Sequence, residues 1–124
     1  MTTDTKKLIL VVEDDQDILE VVRLFLESEG YRVLCAANGF EAMSHLKSSG
    51  VPHLILLDMK MPIMNGWQFA IEFLSRHDHM SPIVVMTAAA DVEQRAKDIS
   101  AIGWIGKPFQ LDDLLAKVKH FERK

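Results

Sequence analysis

Residues able to handle phosphorus or a hard metal ion recur in this chain at one kind of place, directly after a short apolar run. Glu13, Asp14 and Asp15 follow Leu8–Val12, Asp58 follows Leu54–Leu57, Thr87 follows Ile83–Met86, and Gly106 with Lys107 follows Gly103–Ile105. Singly, each has an ordinary explanation. Asp14 and Asp15 suit a helix N-cap, and Asp58 suits a turn ahead of Met61-Pro62. Thr87 reads as a hydroxyl bonded to its own backbone, and Lys107 as a surface lysine. Together they make a chemical set. Clustered carboxylates hold their protons tightly unless a cation intervenes, and oxygen ligands with open positions suit Mg²⁺. A lysine opposite Asp58 supplies a point charge, and a threonine hydroxyl can donate to a phosphoryl oxygen. Aspartate is a covalent nucleophile towards phosphorus. Such a transfer asks mainly for in-line positioning and neutralised charge.

The elements that must bring these residues together are legible as an alternation. The apolar runs Leu8–Val12, Tyr31–Ala36, Leu54–Leu57, Ile83–Met86 and Gly103–Ile105 read as strands. The first four are rich in Val, Ile and Leu with little polar alternation, the pattern of parallel strands buried on both faces. The fifth is short and carries Trp104. Between them lie segments with helical period. Asp15 caps the first, whose face is Ile18, Val22, Phe25 and Leu26 and whose stop is Gly30. Asn38-Gly39-Phe40-Glu41 has the form of a capping box, opening a second helix through Ala42 and Leu46 that closes at Gly50. Asn65 and Asp91 open a third and a fourth, and a fifth runs from about Gln110 to Phe121, with Leu111, Leu114, Leu115 and Val118 at helical spacing. Five β–α units leave no sequence over for a second domain, so residues 1–124 are expected to form one unit. The predicted fold is a flavodoxin-like (βα)5 sheet in the order 2-1-3-4-5, with right-handed crossovers and helices on both faces. Ligands of open α/β sheets bind outside the carboxyl ends of the strands. The polar residues after strands 1, 3, 4 and 5 therefore meet at one edge, and strand 2, which offers nothing comparable, belongs on the outside.

Composition narrows the function classes. A chain of 124 residues with 48% apolar and 26% charged residues is ordinary for one globular core. No apolar run approaches the ~20 residues of a membrane span, and Leu8–Val12 is too short for the core of a signal peptide. A cytoplasmic location is the expectation. Cys35, the only cysteine, rules out an internal disulfide and fits a reducing compartment. A net charge of −4, with Lys and Arg spread thinly, argues against direct nucleic-acid binding. His77 and His79 lack the further ligands that a zinc site needs.

Four stretches, taken in order, resemble the receiver domains of two-component response regulators. Leu10-Val11-Val12-Glu13-Asp14 is similar to the family's acidic pair, and Leu56-Leu57-Asp58-Met59-Lys60-Met61-Pro62 through Gly66 to its phosphoacceptor stretch. Met86-Thr87-Ala88 resembles its switch threonine, and Gly106-Lys107-Pro108-Phe109 its lysine followed by a proline that is usually cis. The likeness covers nearly the whole chain. It implies Asp58 as phosphoacceptor and Asp14 as the main Mg²⁺ ligand, with Glu13 acting through water and the Lys60 carbonyl completing the set. It further implies that Lys107 pairs with the phosphoryl group and that Thr87 moves to bond it. Trp104 occupies the place of the family's switch aromatic, usually Tyr or Phe; a core tryptophan on a buried strand is the competing reading. The donor would be a histidine kinase or histidine phosphotransfer protein. The output would be a downstream effector protein binding the surface of the fourth helix, fifth strand and fifth helix.

Several residues depart from the family pattern. Ser100-Ala101-Ile102-Gly103-Trp104 replaces Gly-Ala-x-x-aromatic, and Ile102 and Gly103 lack the acids through which the winged-helix regulators pair, which favours a monomer. Lys60 stands where a haloacid-dehalogenase-type phosphatase has a second aspartate, and the acidic first loop opposes a phosphate-bearing flavin. A receiver cut from a hybrid kinase or transcription factor, and a degenerate receiver signalling by protein contact alone, are the alternatives within the family.

Overall fold

The apolar runs form β1 (Leu8–Val12), β2 (Arg32–Ala36), β3 (Leu54–Asp58), β4 (Ile83–Thr87) and β5 (Gly103–Gly106). The structure is a computed structural model and describes residues 6–49, 51–58, 81–87 and 101–122. All neighbouring strands are parallel, in the order β2-β1-β3-β4-β5. The order reverses beside β1, which pairs with β2 through Leu8↔Arg32 to Val12↔Ala36 and with β3 through Ile9↔Leu54 to Val12↔Leu57. This reversal is the topological switch point at which such sheets bind ligands.

Period-two alternation divides the sheet's side chains between two cores. Leu10, Val12, Ile55, Leu57, Ile83 and Val85 face helix α2 (Gly39–Ser49) through Ala42, Met43 and Leu46. Ile9, Val11, Leu54, Leu56, Val84 and Met86 face the other way, onto α1 (Gln16–Ser28) and α3 (Leu111–Phe121) through Leu19, Val22, Leu26, Leu114 and Val118. Every residue of β1 and β3 is buried. β2 departs from the reading of a strand buried on both faces. Arg32 is exposed and Val33, Leu34 and Cys35 are half-buried, because an edge strand has a neighbour on one side only.

The helix ends follow their sequence signals. The Asp15 carboxylate accepts from the backbone N–H groups of Asp17 and Ile18, satisfying two orphan donors of α1. At the other end, Tyr31 N–H bonds the Leu26 carbonyl and Gly30 N–H that of Glu27, with Gly30 at φ 95°. Only glycine takes that left-handed conformation without strain. Asn38 Oδ1 accepts from Glu41 N–H at 2.9 Å, while the Glu41 carboxylate reaches back to Ala37 N–H, one residue further than the standard box. The predicted third and fourth helices, opened by Asn65 and Asp91, and the His77–His79 pair lie outside the described residues. No helix among the described residues is long and apolar enough to cross a membrane.

Candidate functional site

β1 delivers its acids to the switch point because the sheet continues one step past Val12: Glu13 N–H bonds the Ala36 carbonyl at 2.9 Å. That bond turns the Glu13 side chain into the molecule, where it is fully buried, and leaves Asp14 exposed. Asp58, the last residue of β3, is 4% exposed. Carboxylate oxygens of Glu13, Asp14 and Asp58 lie within 4.8 Å of one another. Lys107 follows β5 directly, and its ammonium bonds Glu13 Oε1 and stands 3.5 Å from Asp58 Oδ2. The peptide bond from Lys107 to Pro108 is cis, as the resemblance implied.

The electrostatics of the cluster follow from burial. Desolvation pushes the Glu13 carboxyl up from 4.5 to about 7, with the Asp58 charge pushing the same way. Hydrogen bonds from Lys107 and the Asp15 N–H oppose the rise. For Lys107, burial pulls the ammonium down, but the bond to Glu13 and the charge of Asp58 outweigh it and hold the group above its usual value. Three carboxylates thus face one ammonium, an excess of two negative charges when all are ionised. An all-oxygen set with that excess fits a divalent hard cation, with Glu13, Asp14 and Asp58 as the side chains able to hold it.

Four of the residues singled out in the sequence are therefore brought together: Glu13, Asp14, Asp58 and Lys107. Thr87 ends β4 and pairs in register with Gly106, one step beyond the Asp58↔Met86 pair, so its backbone lies at the same edge; its side chain lies outside the described residues, as does all of Lys60. Trp104 overturns the reading of a core tryptophan. It is 38% exposed, because on β5 it alternates with the buried Ile105 and points away from the core. Two features escaped sequence reasoning. The resting partner of Lys107 is Glu13, 94 residues away, at the end of a strand separated from β5 by two others. Lys107 and Pro108 also border an apolar groove of about 500 Å³ with Ile18, Val21, Phe109 and Leu111. The half-exposed Val21 on α1 was the available signal for the groove.

A doubly wound parallel sheet with an acidic cluster and a lysine at its switch point defines the class of protein. The comparisons with known proteins make it specific. Residues 9–119 match the response regulator receiver domain, and the chain belongs to that family. Transcriptional regulatory protein CrdR of Helicobacter pylori is 36% identical over 118 residues, which are 94% of this chain and 55% of that one. Regulatory protein VanRB of Enterococcus faecalis is 37% identical over 118 residues, 94% of this chain and 52% of that one. The chain spans about half the length of these curated relatives. Among solved structures, a CheY-like receiver domain protein of Methanospirillum hungatei superposes with a TM-score of 0.84 at 30% identity, covering 94% of this chain and 93% of that one. Response regulator TrrA of Thermotoga maritima, in complex with Mg²⁺ and BeF, gives 0.82 at 33% identity, covering 93% and 98%.

Proposed function

We propose that this chain is a phosphoacceptor switch, in which Asp58 receives a phosphoryl group and the change is read by another protein. The observation that carries the reading is the juxtaposition of the buried Asp58 and Glu13 carboxylates with the exposed Asp14 and the Lys107 ammonium. The bond formed joins an Asp58 carboxylate oxygen to phosphorus; the bond broken is phosphorus to the donor's leaving group, which departs with the electron pair. From a histidine kinase or a histidine phosphotransfer protein, that leaving group is an imidazole nitrogen. Mg²⁺ held by Glu13, Asp14, Asp58 and the Lys60 carbonyl would neutralise charge on the phosphoryl oxygens. Lys107 then leaves Glu13 for the phosphoryl oxygens, a charge-assisted bond stronger than a neutral one, and Thr87 donates its hydroxyl to another. Any turnover is confined to the domain's own phosphorylation and dephosphorylation.

The apolar groove shares Lys107 with the acceptor site, which supports docking of a protein donor there. The half-length match to transcriptional regulators favours a second reading of the context, in which the same receiver, residues 1–124, works as one part of a longer regulator. Incubation with Mg²⁺ and acetyl phosphate should add the mass of one phosphoryl group, and Asp58→Asn should abolish the gain. A mass gain that persists in Asp58→Asn refutes the acceptor assignment. Failure to gain mass, together with failure to bind beryllofluoride, points instead to a degenerate receiver signalling by contact.

A further inference from the structure

The edge strand β5 carries an aromatic arrangement for which the acidic site has no need. Gly103 lacks a side chain where one would collide with Phe121: a Cβ there would lie 2.6 Å from Phe121 Cε2. The Phe121 ring of α3 therefore leans directly on the strand's backbone. Trp104, next along, projects outward and is 38% exposed. Over both rings sits one cation. The Lys117 ammonium is 5.6 Å from the Trp104 ring centroid and 5.9 Å from that of Phe121. Among the described residues it takes part in no ion pair, although Asp113 stands one turn away on the same helix. An ammonium within about 6 Å of an aromatic centroid is attracted by the ring's quadrupole.

β5 is also the strand that Lys107 directly follows, three residues beyond Trp104. Any ligand that draws Lys107 away from Glu13 acts on the backbone to which Trp104 is attached. We infer that Lys117 is a positioning residue, a tether that fixes the Trp104 ring against α3 in the unliganded protein and so opposes rearrangement of β5. A contact made in one state favours that state by its own free energy. Cation–π attraction at an exposed site corresponds to about a two- to fivefold factor in such an equilibrium. The consequence for ligand response rests on the proposed switch function; the tether itself does not.

The test separates the two. The protein labelled with 5-fluorotryptophan gives one ¹⁹F line for each of its two tryptophans, and Trp104→Phe assigns the Trp104 line by its loss. In the unliganded protein, Lys117→Met should shift or broaden that line while the Trp67 line stays in place, and Lys117→Arg should restore it. A Trp104 line in Lys117→Met that superimposes on the parent's overturns the inference. Titration with beryllofluoride in Mg²⁺ then reads the coupling: the half-saturating concentration should fall about two- to fivefold in Lys117→Met, and an unchanged or raised value overturns the coupling. If beryllofluoride fails to bind the parent protein, the switch function fails while the unliganded spectra still decide the tether.

Discussion

The chemistry of Glu13 depends on its surroundings. Its carboxyl sits at about 7 when folded against 4.5 when free, so the folded protein keeps a proton that the unfolded chain gives up. A raised value contributes stability that is fully present below the unfolded pKa and is lost as pH rises through the folded one. Metal-free protein should therefore lose stability as pH rises from about 4.5 to about 7. A divalent cation offsets the buried negative charge, so Mg²⁺ should raise the melting temperature more at about pH 8 than at about pH 5.5. Glu13→Gln should flatten both dependences; an equal Mg²⁺ effect at the two pH values would refute this account. The sequence could place Glu13 and Lys107 at the same sheet edge but not in contact. Adjacency across two intervening strands depends on side-chain reach and on which way Glu13 turns, and neither is encoded in strand pattern.

At the scale of elements, the local signals were sufficient where the backbone had few alternatives. Asp15, Gly30 and the Asn38–Glu41 pair each satisfy orphan helix donors or carbonyls as their types require. Asn38→Ala should cost about 1 kcal/mol in urea denaturation, with Asn38→Ser retaining most of it. What the sequence could not settle was orientation on a short strand: Trp104 and Ile105 are both apolar and adjacent, so one had to face out, and pattern alone does not choose between them. The neighbouring glycine is the structural clue, since it is where α3 closes on the sheet. Gly103→Ala should destabilise the protein by about 1–3 kcal/mol, with Phe121→Leu in the same chain recovering part of the loss. Equal losses with and without Phe121→Leu would show that the ring is not the obstacle.

For the whole molecule, both ends of the described chain are fastened to one residue. Glu122, just past α3, takes the Lys7 ammonium at 3.0 Å and the Tyr31 hydroxyl at 2.7 Å. Burial, followed by the bond to Glu122, raises the Tyr31 hydroxyl above its usual value. Tyr31→Phe should lower stability by about 1–3 kcal/mol without changing the denaturant slope, because the bond is to a charged group. The order of the strands has one more consequence, for the ribosome. β2, β1 and β3 form one contiguous half of the sheet, and all three have been synthesised before β4 and β5 exist. The acids of β1 and the aspartate of β3 are thus made before the lysine that faces them in the folded protein.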